Sequence, residues 1–175
     1  NMITMDLKEV GNLVFVIGKT EGHIDQSLFA RNILDEKNGP PPEVNLFNEK
    51  NNGETLLKLI ENGFIKSAHD VSLGGIITAI SKMCIKGNKG INLKMSKNLI
   101  NEIEYFFAED QGRYLIEIDQ KDQKKVADIL NKNAVHFDEL GTINENQLYI
   151  NDKTKVTIDE LKTSNTSWLT NYMSK

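Results

Sequence analysis

Two short polar stretches carry the residue types that could do chemistry. In the first, SAHDVSLGGIITAI, Asp70 and Ser72 precede a pair of glycines and an apolar segment that predicts a helix. Unpaired backbone N–H groups at a helix N-terminus favour phosphate or carboxylate, and Gly74 and Gly75 would leave room for such a ligand. Asp70 could then bind a Mg²⁺ ion shared with the phosphate, since hard cations prefer carboxylate oxygens. The structural alternative is that Ser72 caps the helix and the glycines allow a tight turn.

The second stretch, FFAEDQGRYLIEID, places three oxygen-bearing side chains and an arginine directly before a predicted strand. Glu109, Asp110 and Gln111 are consecutive, and a glycine separates them from Arg113. Arg113 is one of only two arginines among 21 basic residues, the other being Arg31. Its planar guanidinium matches phosphate or carboxylate, which indicates a ligand contact. The alternative is that Arg113 pairs with Asp110 or Glu109 and only fixes the loop.

Three further features favour structural roles. In HFDEL, His136 and Asp138 alternate onto one strand face, which predicts a solvated strand edge and not an acid–base pair. Trp168 and Tyr172 lie one helical turn apart, and we expect them to anchor the C-terminal segment to the core. Cys84 falls in an apolar periodic run, so a buried thiol is expected there.

The composition excludes several classes of protein. The 175 residues are 39% hydrophobic and 26% charged, which is typical of a globular domain. A net charge of -4, with lysines and acidic residues interleaved, argues against nucleic-acid binding. No apolar run approaches the roughly 20 residues of a membrane helix, and no signal pattern begins the chain, so a cytoplasmic protein without a membrane contact is expected.

The chain predicts one α+β domain, with a mixed β-sheet flanked by helices. Asn1 precedes Met2, so residues 1–5 are interpreted as an expression remnant or a linker and residues 6–175 as the domain. Apolar runs and alternation predict strands, and apolar residues at helical spacing predict helices. The strands are expected at 13–18, 64–70, 91–95, 114–118, 135–143 and 147–152. The main helices are expected at 26–34, at 45–62, from Ile76 to Cys84, at 97–105 and around Val126 to Leu130, before a polar closing segment.

Five stretches together resemble the C-terminal domain of phosphoribosylformylglycinamidine synthase, and they cover nearly the whole chain. They are GHIDQSLFARNIL, GPPPEVNLFNEKNNGETLLKLI, AHDVSLGGIITAISKM, FFAEDQGRYLIEI and SWLTNYM. The tandem of the glycine turn and the Glu-Asp-Gln-Gly-Arg-Tyr strand entry is more specific than either motif alone. The resemblance implies the second B domain of a superfamily that includes aminoimidazole ribonucleotide synthetase, whose C-terminal domain has this α+β fold.

The resemblance also implies a ligand site. ATP and Mg²⁺ would bind in a cleft between this domain and an A domain, with the N-terminal A and B domains of the same enzyme as partners, together with glutaminase and small accessory subunits. The two motifs carry over to Asp70, Ser72, Gly74 and Gly75, and to Glu109, Asp110, Gln111 and Arg113. The resemblance assigns no catalytic base to these residues. Leu73 stands where the family usually has an aspartate, and Ala108 where glycine often stands, so a complete metal site at Asp70 is in doubt.

The implied reaction is an ATP-dependent ligation that converts formylglycinamide ribonucleotide to its amidine. Three other functions remain open: a stand-alone interaction module or one that holds an anion or nucleotide at the glycine turn, a domain that only shapes its neighbour's cleft, and the B domain of another member of the superfamily. If the enzyme function is right, the segment from Glu109 to Arg113 should face solvent or a cleft. The isolated domain should fold but lack synthase activity, because half a cleft cannot position ATP and its acceptor together.

Overall fold

Seven strands and six α-helices make up the computed structural model, which describes residues 2–95 and 100–174. Among the helices of these ranges, none combines the length and apolar character needed to cross a membrane. The strands are β1 Leu13–Ile17, β2 Ile65–Val71, β3 Gly90–Leu93, β4 Arg113–Ile118, β5 Phe137–Asn144, β6 Gln147–Ile150 and β7 Thr154–Thr157. The helices are α1 Leu28–Asn32, α2 Leu46–Glu61, α3 Gly75–Gly87, α4 Glu102–Phe107, α5 Gln123–Lys132 and α6 Ile158–Met173.

All seven strands join one mixed sheet in the order β2-β4-β1-β5-β3-β6-β7. Neighbouring strands are antiparallel except for β3 and β6, which are parallel. Every residue of β1 is buried, because this strand has partners on both sides and helices over both faces. The expected α+β fold with a mixed sheet is confirmed.

The alternation of β1 supplies two apolar cores, one on each face of the sheet. Val14 and Val16 point to the first core, where α3 contributes Ile76 and Ile80. Leu13, Phe15 and Ile17 point to the second core, which α2 and α5 cover. Because burying one large apolar side chain stabilises a fold by about 1.5–3 kcal/mol, these two layers hold the helices against the sheet.

Most of the predicted elements are confirmed, with shifted ends. The predicted helix at 97–105 is α4, which begins at Glu102 because Asn101 accepts a hydrogen bond from the Glu104 backbone and Glu104 reciprocates. Residues 97–99 of that prediction lie outside the described residues. The closing segment, expected only to be polar, contains β7 and the 16-residue α6, which starts with a capping box between Thr157 and Glu160.

One of two predictions about surface residues is wrong. The strand edge predicted in HFDEL is confirmed for residues 137–139, which pair with β1 alone because β3 pairs only with Gly141–Asn144, although the Asp138 side chain is only 12% exposed. Trp168 and Tyr172 do not anchor α6 to the core, since they are 66% and 63% exposed. Their rings instead stack on each other at a centroid distance of 5.4 Å. The part of α6 that packs on the core is its start, at Ile158 and Leu161.

Candidate functional site

Arg113 is the centre of a buried polar cluster at the start of β4. Its Nη2 donates to the Ala108 carbonyl oxygen at 2.7 Å, and its Nε donates to the Asp110 carbonyl oxygen at 3.2 Å. Nη1 donates to Thr20 Oγ1 at 3.1 Å and lies 3.7 Å from the Asp110 carboxylate. Burial lowers the pKa of Arg113, while the nearby Asp110 carboxylate acts in the opposite direction. The guanidinium therefore closes the 108–113 loop on itself.

The two carboxylates of this loop bind backbone N–H groups of an earlier segment. Asp110 accepts from Glu21, Gly22 and His23 at 3.0, 3.2 and 3.1 Å. Glu109 Oε1 accepts from Leu28 N at 2.8 Å. Charged acceptors make roughly twice as strong a hydrogen bond as neutral ones, so the 108–113 loop holds residues 20–28 in place.

The glycine turn before α3 is shaped by backbone packing. Gly75 has φ +69°, and a Cβ on it would lie 2.6 Å from the Ala108 carbonyl oxygen. Glycine is therefore required for contact with the end of α4, and this position does not expose the backbone to a ligand. Gly74 is the N-cap and its N–H donates to Glu109 Oε1 at 2.8 Å. The expected cap by the Ser72 side chain is wrong, because the Ser72 carbonyl accepts from Gly75 N.

A groove runs along this end of the sheet and consists of two adjoining cavities of about 230 and 270 Å³. The cavities share Glu49 and Gln111. α2 forms one wall, held in place by a hydrogen bond of 3.0 Å from Asn52 Nδ2 to the Gly112 carbonyl oxygen. Asp70, Ser72, Leu73 and Tyr114 line the first cavity, and Lys19, Glu21, Glu43, Asn48 and His136 are among the residues that line the second.

The groove is acidic. Three carboxylates, Glu49, Asp70 and Glu109, line the first cavity together with one cation, the buried Arg113. Lys19 in the second cavity is paired with Glu21 at 2.7 Å. The pKa of Tyr114 is raised by its burial and then by the negative charges of Glu49 and Asp70. Such a surface favours ligand groups that donate hydrogen bonds over a bare phosphate.

The described residues do not form a metal site by themselves. Within 2–95 and 100–174, no group of three or more His, Cys, Asp or Glu side chains could hold a metal ion. The Asp70 side chain is 64% exposed and lies 3.1 Å from His69 Nδ1. Asp70 therefore offers a single carboxylate. This is consistent with Leu73, which stands where the family usually has an aspartate.

The structure divides the eight residues predicted for the site. Gln111 is exposed, and with Asp70 and Ser72 it lies at the surface of the groove. The expectation that the whole segment from Glu109 to Arg113 faces solvent or a cleft is wrong for Asp110 and Arg113, which are 7% and 1% exposed. The structural alternative, in which Arg113 fixes its own loop, describes the observed contacts. Whether any of the eight contacts a ligand stays a prediction.

Sequence reasoning missed a second buried polar cluster, centred on Glu117 in the middle of β4. This carboxylate is fully buried and accepts from Lys8 N at 2.8 Å and Glu9 N at 3.1 Å. Asn12 Nδ2 and Ser67 Oγ donate to it at 2.7 and 2.9 Å. The available signal was an acidic residue at an apolar position of the alternating strand YLIEI.

Comparisons with known proteins agree with this geometry. The family described as "AIR synthase related protein, C-terminal domain" matches residues 9–153. The phosphoribosylformylglycinamidine synthase subunit PurL of Pelagibacter ubique is 71% identical over 99% of this chain and 24% of its own length. The corresponding subunit of Bartonella henselae is 36% identical over 99% of the chain and 24% of its own length. The chain thus spans about a quarter of the length of these curated relatives.

Solved structures share the fold. Thermotoga maritima PurL complexed with FGAR superposes with a TM-score of 0.76 at 20% identity, over 91% of this chain and 29% of that one. The PurL chain in the PurLQS structure from the same organism gives 0.70 at 20% identity, over 91% and 27%. Thiamine-monophosphate kinase from Stenotrophomonas maltophilia gives 0.60 at 13% identity, over 86% and 53%. Together with the match over 9–153, this fold shows that the chain belongs to the AIR synthase related protein family and forms its C-terminal domain.

Proposed function

We propose that residues 6–175 are the C-terminal domain of a phosphoribosylformylglycinamidine synthase. The complete enzyme would be a cytoplasmic ligase that uses ATP and glutamine-derived ammonia to convert formylglycinamide ribonucleotide to the amidine. The 71% identity to the PurL subunit over 99% of the chain carries this proposal. Structural relatives include Thermotoga maritima PurL in complex with ATP and with FGAR, and the PurLQS structure, which support these ligands and further subunits for the complete enzyme.

The groove supports a site shared with another domain. Leu46 and Phe47 begin α2 beside it and are 75% and 78% exposed, and Leu73 lines it and is 61% exposed. Large apolar side chains at the border of a polar groove are typical of a surface that a second protein surface covers. This domain would then supply one wall, while preceding A and B domains of the same polypeptide would supply the other.

The charges of the groove indicate which part of a nucleotide this wall could hold. Carboxylates accept hydrogen bonds from ribose hydroxyls or base amino groups, whereas phosphate requires donors and positive charge. The acidic first cavity therefore suits the hydroxyl or amino side of a ligand, and it disfavours the alternative of a stand-alone anion-binding module. A role for Asp70 toward Mg²⁺ would be limited to one ligand beside those from the nucleotide and other domains, and no step of the proposal depends on it.

The eight predicted residues take two roles in this proposal. Asp70, Ser72 and Gln111 would contact the ligand, because they lie at the groove surface. Glu109, Asp110 and Arg113 would position the 108–113 loop, and Gly74 and Gly75 would set the path of the backbone. The first group should affect turnover without affecting folding.

The proposal is tested with Asp70→Asn and Gln111→Ala in the full-length enzyme. The assay is glutamine- or ammonia-dependent ADP release with formylglycinamide ribonucleotide. We expect Asp70→Asn to lower kcat/KM about tenfold or more, since a hydrogen bond to a charged group contributes about 1.5–3 kcal/mol. Asp128→Asn, which changes an exposed carboxylate on α5, should leave the rate unchanged.

The 175-residue chain should release no ADP in the same assay. Turnover by this chain alone, or a full-length enzyme without ligase activity, would contradict the proposed function. Full activity in both groove variants would contradict only the assignment of the groove.

A further inference from the structure

The C-terminal half of α6 has the composition of an interface, although it is exposed in this domain. Trp168, Leu169, Tyr172 and Met173 are 66%, 58%, 63% and 74% exposed. Their spacing repeats every four residues, so they form one stripe along the last turns of the helix. Protein interfaces are enriched in Trp, Tyr and Met, whereas an exposed apolar stripe on a free surface is unfavourable.

The same segment lacks the features of a helix built for solvent. Residues 163–174 contain no charged side chain, and Ser, Thr and Asn fill the positions between the apolar residues. These three residue types are weak helix formers, because their side chains compete for backbone hydrogen bonds. Only Ile158 and Leu161, both near the start of α6, pack on the core. The end of the helix therefore gains little stability from the domain or from its own sequence.

Two observations indicate what covers the stripe. The family match stops at residue 153, whereas the PurL subunits align over 98–99% of the chain, so α6 is shared with those subunits beyond the matched domain. In addition, the N-terminal segment and the start of α6 both contact the end of α3. Leu7 N donates to the Met83 carbonyl near the end of α3, and Lys162 of α6 contacts Asn88 directly after α3. Polypeptide preceding this domain would thus reach α6 at high effective concentration.

We infer that the stripe Trp168–Leu169–Tyr172–Met173 docks into an uncharged apolar groove on a preceding domain of the same polypeptide. The inference rests on the proposed function, because it takes the longer PurL chains as the setting of this domain. Docking of an amphipathic helix face through residues one turn apart is a common mode of recognition. Such docking would stabilise the C-terminal turns of α6, which gain little stability from this domain. The absence of charge on the segment fits a contact made by shape and apolar area.

The test is hydrogen–deuterium exchange of the full-length chain, read on peptides that cover residues 163–173. Exchange in the wild-type chain, without other subunits, should be about tenfold slower or more than in Leu169→Asp, which places a charge in the stripe. Asn171→Asp is the matched control, because it adds the same charge to the last turns outside the stripe and should leave the protection unchanged. Peptides from α3 should exchange equally in all three proteins, which shows that the domain remains folded.

Equal exchange in wild type and Leu169→Asp would overturn the inference. Protection that appears only after the glutaminase and small subunits are added would also overturn it, since the occupant would be a separate protein. If Leu169→Asp disturbs the α3 peptides, Tyr172→Ser replaces it and is held to the same comparison. The readout needs no turnover, so loss of ligase activity would contradict the proposed function while leaving this result intact.

Discussion

Two buried carboxylates, one just before β4 and one within it, each hold a distant backbone segment in place, but their other partners differ. Asp110 holds backbone N–H groups of residues 21–23 beside the buried cation Arg113. Glu117 holds backbone N–H groups of residues 8 and 9 with Asn12 and Ser67 as its other donors, all of them neutral. The first cluster lies at the end of the sheet beside the groove, whereas the second lies within the sheet. Of the two buried carboxylates, only Asp110 belongs to a loop that lines the groove.

Replacing Glu117 should give the largest loss of stability. Glu117→Ala removes the acceptor of four donors, of which the Asn12 amide and the Ser67 hydroxyl are buried, and each unsatisfied buried donor costs about 1–3 kcal/mol before the structure relaxes. We expect the free energy of unfolding of the 175-residue chain to fall by about 3–5 kcal/mol in urea denaturation. Glu145→Ala, in the exposed turn before β6, should change it by less than about 0.5 kcal/mol. A loss below about 1 kcal/mol for Glu117→Ala would show that water replaces the carboxylate.

Replacing Arg113 should cost somewhat less, because Asp110 keeps its three backbone donors. We expect a loss of about 3 kcal/mol for Arg113→Ala and about 2 kcal/mol for Arg113→Lys, since a lysine cannot reach all three acceptors. The chain offers Arg31→Ala as a control, because Arg31 is exposed and contacts only the Gln26 side chain among the bonds described. Denaturation midpoints measure the series. Wild-type stability of the lysine variant would mean that charge alone, and not the planar fork, matters.

Gly75→Ala should destabilise the domain by about 2 kcal/mol, through strain at positive φ and the clash with the Ala108 carbonyl. Gly63→Ala separates the two causes, because Gly63 also has positive φ, at +75°, but open space around its Cβ position. We expect about 1 kcal/mol there. Thermal unfolding of both variants gives the difference, and equal losses would remove the role assigned to packing between the turn and α4.

Asp6 should give the smallest effect, which is present at neutral pH and disappears at low pH. Hydrogen bonds from Lys8 and Thr4 lower its pKa from 3.8 to about 2. A carboxyl with a depressed folded pKa adds stability above its unfolded pKa, and this contribution is lost as the pH falls from about 4 to 2. The difference in unfolding free energy between wild type and Asp6→Asn should therefore shrink over that window. A difference that stays constant or grows toward pH 2 would contradict this assignment, and solvent screening keeps it small.

The sequence predicts the fold better than it predicts the roles of the polar residues. Periodicity located β1, α2 and α3 because their apolar spacing reflects local geometry. It could not separate an arginine that binds a ligand from one that closes its own loop, because the acceptors of Arg113 include Thr20, far away in sequence. Trp168 shows a second limit. The spacing of Trp168 and Tyr172 predicts that they share one face of a helix, but it does not predict which surface that face contacts. Glu117 was missed because its donors, in residues 8–12 and at Ser67, are far from it in sequence.

The position of β1 in the sheet also determines when the domain can fold. Leu13 pairs with Ile118 and with Thr142, so the first strand to be made is completed by two of the last. At a typical translation rate of 5–20 residues per second, roughly 6–25 s pass between synthesis of β1 and of the whole of β5. Until β4 is made, roughly 5–20 s after β1 at the same rate, the apolar segment LVFVI has no native strand on either side. We therefore expect a nascent chain of this domain to bind chaperones that recognise extended apolar segments. The folding rate of the domain should be limited by the long-range pairing of β1.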